Sequence, residues 1–114
     1  MQKNLFSVII PTYNRSGTLS RCLEALSAQD FPFDKFEVIV CDDGSSDDTA
    51  AAVTRFKASL TLKYIRQDNK GPAAARNLGI LNSIGKYLLF LNDDAIAADN
   101  LLTNHSRFLK DEEK

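Results

Sequence analysis

Runs of apolar residues alternate with helix-spaced apolar positions along the whole chain. LFSVII (5–10) is rich in β-branched residues and predicts a first strand, buried on both faces and ended by Pro11. After a turn at Asn14 to Gly17, Leu19, Cys22, Leu23 and Leu26 fall at i, i+3, i+4 and i+7. That is one apolar stripe on a helix from about Ser16 to Gln29. FEVIVC (36–41) predicts a second buried strand. Ser45-Ser46-Asp47-Asp48 reads as a helix start, with a hydroxyl N-cap, acidic side chains at the positive end of the dipole, and Val53 and Phe56 toward the core. LKYI (62–65) is a short third strand. Gly71-Pro72 opens an Ala-rich helix to about Ser83 with Gly85 as its stop, and YLLFL (87–91) is a fourth strand, buried until it meets solvent.

This β-α-β-α-β-α-β-α order predicts an α/β fold, a Rossmann-like, mostly parallel sheet with helices on both faces. Ligands of such sheets bind at the carboxyl ends of the strands. Every polar cluster falls on that edge: Thr12 to Arg15, Asp42 to Ser45, Asn69 to Arg76, and Asn92 to Asp94 after strands one to four. One shared site is the economical reading.

Composition narrows the picture by exclusion. A length of 114 residues suits one core, not two. Hydrophobic residues at 44% and charged residues at 25% argue against disorder and against collagen-like or coiled-coil architectures. With 14 basic and 15 acidic residues, the formal charge of −1 gives no footprint for nucleic acid or an anionic membrane. Cys22 and Cys41 have neither CxxC nor Cys/His spacing and read as buried apolar residues. No stretch approaches a membrane span or a cleaved leader, so a cytoplasmic setting is expected.

The chemistry lies in the clusters. Asn92-Asp93-Asp94 brings two carboxylates out together, which suits Mg²⁺ or Mn²⁺ held jointly with substrate phosphates; the alternative is a polar turn with Asp capping the next helix. Asp42-Asp43-Gly44-Ser45 can accept hydrogen bonds from a base or ribose, or only start a helix. Arg76, one turn into the Ala-rich helix, can neutralise phosphate or pair with an acidic loop. Lys70 and Arg15 read as solvated charges within reach of a diphosphate. His105 is the sole histidine and has no triad partner, so His-activated nucleophiles lack support. Neither GxxxxGK[ST] nor GxGxxG occurs, which disfavours P-loop and ordinary dinucleotide chemistry. A phosphorylatable receiver-like domain is disfavoured because Pro11-Thr12 stands after the first strand, where its acidic pair belongs.

Taken together, VIIPTYNR (8–15), VIVCDDGSSDDT (38–49), NKGPAAARNLG (69–79) and YLLFLNDDA (87–95) resemble the start of a family 2 glycosyltransferase with the GT-A fold. The four motifs occur in order over nearly the whole chain. The resemblance implies a UDP- or dTDP-linked nucleotide-sugar donor and inverting transfer to a carbohydrate or lipid-linked acceptor. It implies that Pro11, Thr12 and Tyr13 line the base pocket, Asp43 accepts from the base N–H, Asp42 supports that loop, and Arg76 reaches the base or diphosphate. Asp93 and Asp94 fill the DxD-like motif, Asp93 touching ribose and Asp94 leading as ligand of a divalent metal. Asn92 stands where many members carry Asp. The family's catalytic base lies well downstream of this motif, and no acidic residue here matches it. Residues 1–114 are therefore expected to be the donor-binding part of a truncated GT-A domain, with an exposed edge and an uncovered apolar face near strand four. Its base, and any attachment to the inner face of a membrane, are expected beyond Lys114. A catalytically incomplete nucleotide-sugar-binding module is the alternative.

Overall fold

The computed structural model describes residues 5–112. Four parallel strands, β1 (Phe6–Thr12), β2 (Phe36–Asp42), β3 (Leu62–Arg66) and β4 (Tyr87–Phe90), form one sheet in the order β3-β2-β1-β4. Helices α1 (Ser16–Ser27), α2 (Thr49–Thr54) and α3 (Pro72–Leu81) join consecutive strands, and α4 (Leu101–Glu112) follows β4.

The two central strands are sealed on both faces, as their continuous apolar runs require. Strand alternation sends Phe6, Val8 and Ile10 of β1, with Phe36, Val38 and Val40 of β2, to one face. There they meet Leu19, Leu23 and Leu26 of α1, Val53 and Leu102. Ile9, Ile39 and Cys41 point the other way, onto Ala75 of α3. Phe56 packs against the larger cluster, half-buried.

Several expected boundaries move. β1 continues through Pro11 to Thr12 because nothing on the ladder needs the missing N–H. Ile9 accepts from Leu91 N on the β4 side, and by the two-residue alternation Pro11 faces that side beyond the end of β4. β4 is an edge strand rather than a buried one. Its Leu88 and Phe90 are 39% and 47% exposed on the face that α3 only partly covers, which matches the apolar exposure expected near this strand. Helix α1 stops at Ser27, and Gln29 beyond it turns its side chain to α4, accepting from Leu102 N at 3.1 Å.

Gly85 is not a helix stop, since α3 ends at Leu81 with Asn82 as its C-cap. Gly85 instead marks a close approach. A Cβ there would lie 2.5 Å from Ser7 N and 2.6 Å from Phe6 C, backbone atoms that cannot swing aside. Gly85→Ala is therefore expected to destabilise the fold by about 1–3 kcal/mol, the usual cost of forcing bulk into a packed contact. Urea denaturation of the variant and parent checks this, and an unshifted midpoint would contradict it.

Candidate functional site

The carboxyl edge of the sheet is built on two buried aspartates with different tasks. Asp42 ends β2 with none of its surface exposed. Its Oδ1 accepts from Ser45 N at 2.9 Å, and its Oδ2 takes a short hydrogen bond from the Tyr64 hydroxyl and faces Arg66 Nη1 at 3.5 Å. Arg66 also donates to the Ser45 carbonyl at 2.8 Å. Asp42 is thus the inner strut of the turn at Gly44, whose φ of 88° suits a residue without a Cβ. Burial, then the bond to Asp42, pushes the Tyr64 phenol above its ordinary value.

Asp43 looks toward the loop that leads into α3. Its Oδ1 accepts from Lys70 N at 2.7 Å and Gln67 Nε2 at 2.8 Å, and its Oδ2 from Gly71 N at 3.0 Å. The Lys70 N–H above all, against an opposing push from burial, holds its carboxyl below the usual carboxylate range. A carboxylate has about four acceptor positions, so three bonds leave one, on Oδ2. The helix-start alternative for this pair fails, because α2 begins only at Thr49. Ser45 and Ser46 do not cap it either. The N-cap position is Asp48, with no side-chain cap bond, and Asp47 just before it accepts from Thr49 N at 3.1 Å and from the Thr49 hydroxyl.

Ser45 and Ser46 are engaged with the first loop instead. Asn14, at φ 51°, donates from N to Ser45 Oγ at 2.7 Å and accepts from Ser46 N at 2.8 Å. Ser16 N reaches Asp47 at 3.2 Å. These bonds clamp the β1 loop onto the β2 loop. Tyr13, at the tip, leaves 44% of its surface exposed beside half-buried Pro11.

Thr12 links the two acidic clusters. It pairs in register with Asp42, and its hydroxyl donates to Asp93 Oδ2 at 2.9 Å. Asp93 is 5% exposed, and its other oxygen lies 3.0 Å from Arg15 Nη1. The second guanidinium nitrogen of Arg15 is 4.0 Å from Asp94 Oδ2. Arg15 is half exposed but not simply solvated, since it forks across the acidic pair. Asp94 itself has a side chain 60% exposed. The turn closes through Ala95 N on the Asn92 carbonyl, and α4 starts only at Leu101, so neither aspartate caps it. Beneath the turn, burial first and the Asp93 and Asp94 charges second push the Cys22 thiol up to about 12, which keeps it protonated.

Arg76 is exposed on α3 and joins no ion pair among the described residues. Lys70 contributes its backbone N–H to Asp43. His105 is an exposed α4 residue whose ring lies 6.4 Å from that of Phe6, far from this edge in the fold. Gln67, Tyr64 and Arg66 escaped the sequence reading, which places Asn14 only in the turn and the polar cluster, without its clamp onto Ser45 and Ser46. The one available signal was that Tyr64 and Arg66 stand two apart on an edge strand and so share a face.

Among the described residues no three His, Cys, Asp or Glu side chains gather to hold a metal. The donor set still fits a hard divalent cation of the kind completed by substrate phosphates, because Asp94 offers solvent-exposed oxygens beside a fixed second carboxylate.

The model of the family described as "Glycosyl transferase family 2" matches residues 7–114. An uncharacterized glycosyltransferase of Rickettsia felis is 38% identical over 92% of this chain, which spans only 17% of that protein. Among solved structures, Staphylococcus aureus TarS 1–349 in complex with UDP-GlcNAc superposes with a TM-score of 0.91 at 34% identity, over 94% of this chain and 31% of TarS 1–349. A mannosyltransferase from Pyrobaculum calidifontis in complex with GDP-Man and Mn²⁺ gives 0.85 at 32% identity, over 91% of this chain and 32% of its own.

Proposed function

Because this chain belongs to glycosyl transferase family 2 and carries its GT-A fold, we propose that it binds a UDP- or dTDP-linked sugar at the carboxyl edge of the sheet and presents it for inverting transfer to a carbohydrate or lipid-linked acceptor. The observation that carries this reading is the state of Asp43. It is fixed by three donors and has one acceptor position left. A uracil or thymine ring offers one N–H to such a group, whereas guanine offers adjacent donors that call for both oxygens of a carboxylate.

In this reading Pro11, Thr12 and Tyr13 line the base pocket, with the exposed Tyr13 ring against the base, and Asp42 keeps the Asp43 turn in place. Asp93 contacts ribose, and Arg15 and Arg76 reach the base or diphosphate. Asp94 would hold the Mg²⁺ or Mn²⁺, with Asp93 at its side. That ion, when bound, offsets charge on the diphosphate leaving group. Inverting transfer also needs a carboxylate on the acceptor hydroxyl, opposite the leaving group. Asp42, Asp43 and Asp93 are buried and engaged, so we assign the base to none of them. The same engagement favours a second reading, a donor-binding module that does not turn over alone. Sugar transfer or donor hydrolysis by the isolated chain would exclude that module.

Calorimetry of UDP with and without Mn²⁺ tests the proposal. Metal-dependent binding, tighter for UDP than for GDP, is expected; no binding at millimolar nucleotide by the folded chain would overturn it. Asp94→Ala should remove about 1–2 kcal/mol of UDP binding in Mn²⁺ and little in its absence, since an exposed charged contact is partly screened. Equal losses in both conditions would move the metal away from Asp94.

A further inference from the structure

We propose that Arg15 is a built-in counter-ion of the Asp93–Asp94 pair that makes cation binding at Asp94 conditional on the nucleotide diphosphate; this rests on the donor reading above. The guanidinium lies 3.0 Å from Asp93 Oδ1 and 4.0 Å from Asp94 Oδ2. With Thr12 on the remaining Asp93 oxygen, the buried carboxylate is satisfied without any ligand. A divalent cation arriving alone meets an acidic pair of which one negative charge is already offset, and it is repelled by a guanidinium a few ångströms away.

The surroundings let that charge leave. The Arg15 backbone is anchored, since its carbonyl accepts from Leu19 N at 2.8 Å and the flanking residues Asn14 and Ser16 are tied to the 45–47 loop. The side chain, 49% exposed, borders an open cleft of about 340 Å³ lined by Thr18, Arg21, Asp94 and Ile96. A diphosphate offers a guanidinium paired oxygens, as a carboxylate does, with more charge. Arg15 then turns from Asp94 to the diphosphate, and the vacated carboxylate takes the cation. Nucleotide and metal thereby bind with positive coupling, equal in both directions.

Mn²⁺ binding followed by electron paramagnetic resonance, with and without UDP, reads this directly and needs no turnover. In the parent, Mn²⁺ alone should bind weakly and UDP should tighten it. Arg15→Gln should bind Mn²⁺ alone more tightly by on the order of tenfold and lose a similar factor of coupling. Arg15→Lys, which keeps a charge at the site, should stay nearer the parent and guards against a folding defect in the glutamine variant. Unchanged or weaker Mn²⁺ binding by Arg15→Gln, with UDP still binding, overturns the counter-ion alone. Absence of UDP binding by the parent at every Mn²⁺ concentration overturns the donor reading and this proposal together.

Discussion

Alanine in place of Asp43 is expected to weaken UDP binding by about 2–3 kcal/mol, roughly 30- to 150-fold in Kd. Two losses combine. In the proposed donor mode the base forfeits its charged acceptor, and the Lys70 and Gly71 N–H groups and the Gln67 amide lose the carboxylate that sets the loop into α3. Asn at this position keeps one acceptor oxygen and should fall between the two. The pH dependence has a definite sign. Because the folded-state pKa is depressed, the contribution of Asp43 is fully present above the ordinary carboxylate range near pH 4 and is lost as pH falls through its lower folded value. UDP titrations of Asp43→Ala and the parent at neutral pH check the effect. A change below threefold would remove Asp43 from the base pocket.

The largest stability effect is expected at Glu37, on the opposite end of the sheet from the site. This carboxylate is fully buried in β2. Its Oε2 accepts from the Ser7 hydroxyl at 2.6 Å and from Ile84 N at 2.8 Å, and its Oε1 lies 3.1 Å from Lys63 Nζ. Lys63 also donates to the Asn82 carbonyl at 2.9 Å, and Ser7 Oγ accepts from Gly85 N at 2.7 Å. Glu37 therefore ties β1, β2, β3 and the turn before β4 to one point. Glu37→Ala withdraws an acceptor from two donors and leaves a hole, and is expected to cost about 3–4 kcal/mol in urea unfolding. Glu37→Gln, which keeps an acceptor oxygen, should cost about half of that. A loss under 1 kcal/mol for alanine would show that the network is replaced by water.

Glu37 also shows where sequence reading stops. In FEVIVC it is one polar residue in an apolar run, and period-two alternation only places it on the α3 face. Its partners lie 30 and 47 residues away, at distances that only the crossovers close. Arg15 is the same case nearer the site. Its charge and its place after strand one were legible, but its pairing with Asp93 depends on β4 lying beside β1. Expecting β4 to be buried failed for a related reason. Five apolar residues in a row define a strand but not its rank in the sheet.

By itself the sequence determined the alternation of strands and helices, their parallel arrangement, and the gathering of Thr12 to Arg15, Asp42 to Ser45, Asn69 to Arg76 and Asn92 to Asp94 at one edge. Those follow from local periodicity and from the rule that each crossover returns the chain to the same end of the sheet. Only the tertiary structure decided which of those charges are buried and which face solvent. Asp42, Asp43 and Asp93 are buried and bonded while Asp94 and Arg76 are exposed, because burial and pairing are set by neighbours that chain order does not reveal.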